Sequence, residues 1–210
     1  MVRLVLVRHG ETEWNVREVF RGRRDVVLNQ VGIKQAELLG ECLADWPIEA
    51  VYSSPLKRAL DTAARVAGHH GLPVTVAEGL VDFDYGRWEG LTHQEVKERY
   101  PGLYEQWLTR PHLLRVPERE DLDDVRARAM GFVCRVLSEH EGTVVLVSHR
   151  VVNKVLLCSM LGLDNSHFWD IRQDLGAFTV FDHEEGRFTL VLHNERCHLR
   201  QLQKDALSDF

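Results

Sequence analysis

The chain has 210 residues, 44% apolar and 28% charged, with a formal net charge of −6, a balance that suits one α/β domain spanning residues 1–210. The negative charge argues against nucleic acid as a partner, because phosphate backbones require a basic surface. No apolar run reaches the length of a membrane span, and the one at residues 2–7 is too short for a secretory signal, so a cytoplasmic protein with no membrane partner is expected. Cys42, Cys134, Cys158 and Cys197 form no C-x-x-C pair and read as buried thiols of a reducing compartment.

Residues 2–7 are a β-branched apolar run interrupted by Arg3, which predicts a buried strand. Val31, Ala36, Leu38, Leu39 and Leu43 recur at helical spacing, predicting a helix over 31–44 that ends before Pro47. A short strand at 50–52 and a helix at 55–67 follow, with Pro55 near the first turn and Gly68 and Gly71 closing it. Residues 73–77 return as a strand. The middle, 82–117, mixes aromatics and breakers with helical stretches at 92–100 and 103–109. A long amphipathic helix is predicted at 121–140, a strand at 143–147 and a helix at 151–161 stopped by Gly162. Residues 177–182 and 188–192 flank Glu184–Gly186 as a hairpin. Strands alternating with helices imply a three-layer αβα sandwich, mostly parallel, with an antiparallel edge strand.

Two strand ends look alike. Val5-Leu6-Val7 runs into Arg8-His9-Gly10, and Val145-Leu146-Val147 runs into Ser148-His149-Arg150. The carboxyl edge of an open α/β sheet is where ligands bind. One histidine there would read as structural; two at equivalent ends point to chemistry. A third strand end, Ser53-Ser54-Pro55-Leu56-Lys57-Arg58, brings a guanidinium suited to a phosphate.

Leu6-Val7-Arg8-His9-Gly10-Glu11-Thr12 with Trp14-Asn15, then Ser53 to Ala59 with Thr62-Ala63, Tyr85-Gly86-Arg87-Trp88-Glu89-Gly90, and Val147-Ser148-His149 together resemble the histidine phosphatase superfamily. The similar branch is the one containing cofactor-dependent phosphoglycerate mutases. The resemblance implies that His9 accepts phosphate as phosphohistidine, and that Arg8, Arg58 and His149 bind the transferring oxygens with help from Asn15. It implies Asp82, where the family usually has glutamate, as proton donor. Asp84 is the other candidate, and one of the two caps the turn before Gly86. Neither metal nor other cofactor is implied, since two arginines and a histidine can neutralise the equatorial oxygens.

Departures from the family pattern are informative. Arg21 of Phe20-Arg21-Gly22 replaces a neutral polar residue at a position that faces substrate, so Arg21 and Gly22 are expected to bind substrate. Arg150 follows His149 where many members have glycine. Pro117-Glu118-Arg119-Glu120-Asp121 stands where Gly-Gly-Glu-Ser is common, which argues against a ligand contact by Glu120. The middle region is short for a mutase. The expected activity is therefore hydrolysis of a small phosphorylated metabolite, with the mutase as alternative and a non-catalytic phosphate-binding module third. The chain resembles both alpha-ribazole phosphatases and metal-independent phosphoserine phosphatases, the latter also around residues 194–199, and a homodimer is common among such proteins.

Overall fold

In the computed structural model, which describes residues 1–115 and 119–202, the first apolar run becomes β1 (Val2–Arg8). Leu4, Val5, Leu6 and Val7 are all fully buried, because a strand covered on both faces has no solvent side to keep polar. The chain continues through a short α1 (Glu13–Val16) and α2 (Gln30–Leu43) to β2 (Ile48–Ser53), then through α3 (Lys57–His70) to β3 (Val74–Val76). α3 runs past its expected end. Gly68 stays helical, and the stop is Gly71, whose φ of +63° gives the left-handed turn that closes a helix without Cβ strain.

The middle of the chain supplies α4 (His93–Arg99) and α5 (Pro101–Thr109), followed by α6 (Leu122–Glu139), β4 (Thr143–Ser148) and α7 (Arg150–Met160). Asp121 lies just outside α6 as its cap, accepting from the backbone N–H groups of Asp123 and Asp124. A hairpin of β5 (Phe178–Glu184) and β6 (Arg187–Glu195) ends the sheet. Its two-residue turn uses Glu185 and Gly186, both at positive φ, which matches the twist of the flanking strands.

The strand order is β3-β2-β4-β1-β5-β6. β1 to β4 run parallel, and β5 runs against both β1 and β6. Leu4, Leu6, Val144 and Leu146 pack on one face with Val125, Phe132 and Val133 of α6, Val152 of α7, and Trp88 and Trp107 from the middle region. Val5, Val7, Val145 and Val147 pack on the other face with Leu39 and Leu43 of α2 and Ala59, Ala63 and Val66 of α3. Each such buried aliphatic side chain contributes roughly 1.5–3 kcal/mol, so the two central strands are the most firmly held part of the sheet.

The cysteines depart from expectation. Only Cys158 is buried; Cys42, Cys134 and Cys197 are exposed free thiols. Cys134 follows Phe132 and Val133 on α6 but lies off the buried stripe of Val125, Ala129, Phe132, Val133 and Val136, so helical sequence alone did not imply burial. Among the described residues no helix is long and apolar enough to cross a membrane.

Candidate active site

β1 and β4 are hydrogen-bonded neighbours in register, Val7 opposite Val147 and Arg8 opposite Ser148. Their next residues, His9 and His149, therefore emerge side by side, with ring centroids 5.2 Å apart. The loop after β1 lies directly on the first turn of α2. A Cβ on Gly10 would sit 2.5 Å from the Gly32 carbonyl oxygen, and one on Gly32 would sit 2.0 Å from that of Glu11. Only glycine permits that approach. His9 Nδ1 lies 2.6 Å from the Gly10 carbonyl oxygen; a carbonyl can only accept, so Nδ1 carries the proton and Nε2 keeps the lone pair. That tautomer suits attack by Nε2.

The other predicted residues converge on the same strand ends. Arg8 is buried and donates through Nη1 to the Gln173 carbonyl. Arg58 is fully buried; Nη2 donates to the Gly22 carbonyl at 2.8 Å and to Asp82 Oδ2 at 2.9 Å, and Nη1 donates to the Arg24 carbonyl at 2.8 Å. Asp82 Oδ2 is also 3.6 Å from His149 Nδ1, whereas Asp84 accepts from the Gly86 N–H at 2.8 Å and caps the turn. Of the two candidate carboxylates, Asp82 is the one among the arginine and histidine groups.

Gly22 and Asn15 are partly committed elsewhere. Gly22 has φ +51°, and a Cβ there would lie 2.0 Å from Glu89 Oε1; its carbonyl holds Arg58. Asn15 Oδ1 accepts from the Thr12 backbone N–H at 3.0 Å and hydroxyl at 2.7 Å, which leaves its amide NH₂ as the group able to donate to a ligand. Arg21 makes only long contacts, 3.4 Å from Nη1 to the carbonyls of Trp14 and Val19. Its Nε is buried without a partner.

Two supports were not legible as such. Ser54 Oγ lies 2.7 Å from His149 Nε2, so the Ser53-Ser54 strand end orients a histidine as well as leading into the helix of Arg58. Glu120 binds Arg128 through Nε at 2.5 Å and Nη2 at 3.0 Å, and Arg128 in turn donates to the carbonyls of Gly79 at 2.9 Å and Asp82 at 3.4 Å. Glu120 thus holds an arginine that grips the Asp82 loop. Residues 116–118, with Pro117 and Glu118 of the same stretch, lie outside the described residues.

The electrostatics favour an anion. Burial, followed by Arg58, holds both His9 and His149 well below the usual imidazole range, with Arg8 and Arg21 acting the same way. Both rings are therefore neutral near pH 7. Burial and then the charges of Arg8, Arg58 and Arg150 bring Arg21 down to about 9. Such a cluster can bind a phosphoryl group, stabilise charge developing on its oxygens and present a neutral imidazole for attack. Among the described residues no three His, Cys, Asp or Glu side chains are grouped to hold a metal ion.

The profile of the histidine phosphatase superfamily (branch 1) matches residues 4–196. The chain is 37% identical to phosphoserine phosphatase 1 of Hydrogenobacter thermophilus over 207 residues, covering 98% of both chains. It is 28% identical to the adenosylcobalamin/alpha-ribazole phosphatase of Escherichia coli, covering 93% of this chain and 97% of that one. Among solved structures, Bacillus stearothermophilus YhfR superposes with a TM-score of 0.91 at 32% identity, covering 95% of this chain and all of the other.

Proposed function

Since the chain belongs to the histidine phosphatase superfamily, branch 1, we propose that it is a phosphatase hydrolysing small phosphomonoesters through phosphohistidine at His9, without a metal. The observation that carries this reading is the pair of buried histidines 5.2 Å apart at adjacent strand ends, with Asp82 and Arg58 in contact beside them.

The substrate phosphoryl group takes donors from Arg8, Arg58, His149 and the Asn15 amide. His9 Nε2 attacks phosphorus as the bond to the ester oxygen breaks, and Asp82 gives its proton to the departing alkoxide. Water then attacks the phosphohistidine, Asp82 recovers a proton, and inorganic phosphate leaves with His9 restored. The arginines supply the charge neutralisation that Mg²⁺ supplies in other phosphoryl-transfer enzymes. Hydrolysis rather than mutase chemistry is favoured by the phosphatase names of the relatives and by the short middle region. An active enzyme, rather than a binding module, is favoured by the complete set of histidines, arginines and carboxylate.

The test is a rapid-mixing experiment with phosphate-labelled substrate, quenched in base. Wild type should trap a phosphoenzyme that survives base and is lost in acid, while His9→Ala traps none and turns over at background rate. Label on serine or aspartate, or substantial turnover by His9→Ala, would end the assignment. We further propose one domain built on the single sheet, a cytoplasmic location consistent with the free cysteines, and a homodimer, whose presence analytical ultracentrifugation decides.

A further inference from the structure

We infer that Arg150 and Arg21 form a second anion subsite beside the phosphoryl site, suited to the carboxylate of a phosphorylated carboxylic acid. The inference rests on the phosphatase reading and names its substrate class. Arg150 stands at the first position of α7, next to His149, and is 5% exposed. A guanidinium thus follows His149 directly, where many members of the resembling family have glycine. Its side chain lies over the Trp169 ring, 5.6 Å from the centroid.

Arg150 and Arg21 line one small cavity with Tyr85, Phe20, His93 and, also lining it, Glu18. The walls are aromatic: Phe20 stacks on His93 at 4.2 Å and meets Tyr85 edge-on at 4.9 Å. Arg21 brings its buried, unpartnered Nε and two long contacts that a better acceptor would displace. Its charged neighbours are the cations Arg8, Arg58 and Arg150 ahead of Asp82, so an anion here relieves repulsion. His93 cannot supply a compensating charge of either sign: burial, then Arg150 and Arg21, bring it to about 4, leaving it neutral at pH 7.

Size selects the anion. The cavity volume is about 10 Å³, the scale of a single water-sized group. One carboxylate oxygen suits that volume; a second tetrahedral phosphate does not. A planar carboxylate also matches the two-donor fork of arginine, which lysine cannot reproduce. Arg150, which lines the cavity, directly follows His149 in the chain, which puts the subsite beside the phosphoryl site. The substrate would then be a compact phosphomonoester with a carboxylate a few bonds from the ester oxygen.

The experiment compares matched pairs: phosphoserine with phosphoethanolamine, and 3-phosphoglycerate with glycerol 3-phosphate. For wild type, kcat/KM should be at least tenfold higher for the carboxylated member, chiefly through KM, a factor worth about 1.4 kcal/mol. Arg150→Gln should shrink that ratio at least tenfold beyond any loss common to both members, and Arg150→Lys should restore only part of it. Equal kcat/KM within both pairs for wild type overturns the subsite without any variant, as does an unchanged ratio in folded Arg150→Gln. If wild type hydrolyses neither these esters nor p-nitrophenyl phosphate, the phosphatase reading fails separately. Calorimetric binding of 3-phosphoglycerate and glycerol 3-phosphate then decides the subsite: tenfold tighter binding of the former supports it, and equal affinities overturn it.

Discussion

Replacing Asp82 by asparagine should slow the chemical step and tighten oxyanion binding at once. Its Oδ2 lies 2.9 Å from Arg58 Nη2 and 3.6 Å from His149 Nδ1 in a site where it is 5% exposed. Loss of proton delivery costs roughly 10²–10⁴-fold with an alkyl phosphate, whose leaving group is poor. Loss of the charge works in the other direction. Without ligand Asp82 pairs with Arg58 as a carboxylate; it must take up the proton it later donates as the oxyanion binds, and asparagine escapes that cost. Two unit charges about 4 Å apart interact by about 4 kcal/mol at an effective dielectric near 20, and a bound phosphate dianion close to Asp82 is repelled on that scale. Arg58 retains the carbonyls of Gly22 and Arg24, so much of the gain is offset by its own reorganisation. A remainder of about 1.4 kcal/mol makes vanadate bind about tenfold more tightly. The assay is single-turnover release from an alkyl phosphate and from p-nitrophenyl phosphate, with vanadate inhibition measured on the same preparations. The Asp82→Asn enzyme should lose far more with the alkyl ester. Equal losses on both esters, or a leaving-group-dependent loss in Asp84→Asn alone, would refute the assignment; weaker vanadate binding would refute the electrostatic part.

Exhaustive chelation should leave turnover unchanged, because Arg8 and Arg58 supply the positive charge; silence with EDTA and recovery with Mg²⁺ would contradict this. Acid should destabilise the protein through its buried imidazoles. Their folded values lie below the usual 6.5, with His93 at about 4, so between those values the unfolded chain binds more protons. Stability is then complete above about pH 6.5 and falls on acidification by up to about 1.4 kcal/mol per pH unit for each such group. His93→Gln should show a shallower decline in Tm between pH 6.5 and 4 than wild type, and parallel declines would dismiss the role of His93. Arg128→Ala should slow alkyl phosphate turnover by about 10–10²-fold through a displaced Asp82, with p-nitrophenyl phosphate less affected and Arg128→Lys intermediate. A loss independent of the leaving group would reduce Arg128 to a structural tie.

The strand ends were legible because their signal is local: a β-branched run followed by Arg-His or Ser-His is complete within a few residues. The convergence of His9, His149 and Arg58 followed from the sheet once the strands were found, whereas Asp82, outside every strand, was implied by the family resemblance with Asp84 as the alternative. The supports were not legible for the opposite reason. Arg128 grips carbonyls 49 and 46 positions away, and an arginine on an amphipathic helix carries no mark of that use. Gly22 reads as a turn residue, while its carbonyl bond to Arg58 spans 36 positions. The exposed thiols failed as a reading because helical sequence does not say which face a residue occupies until the stripe is traced. Gly68 misled because a glycine weakens a helix without ending it, whereas Gly71 ends it through its left-handed backbone.

The register of β1 against β4 fixes a length standard. Hydrogen-bonded strands lie about 4.8 Å apart, and the residues after Arg8 and Ser148 inherit that interval from the sheet rather than from any loop. Both strands are buried on each face, so the interval is as rigid as the core. The cavity of Arg21, Tyr85, His93 and Arg150 is assembled instead from loops and helix ends. Mutational drift can therefore reshape what enters while the gauge across which phosphate is handed over stays constant. A lineage carrying this sheet can change diet without relearning its chemistry.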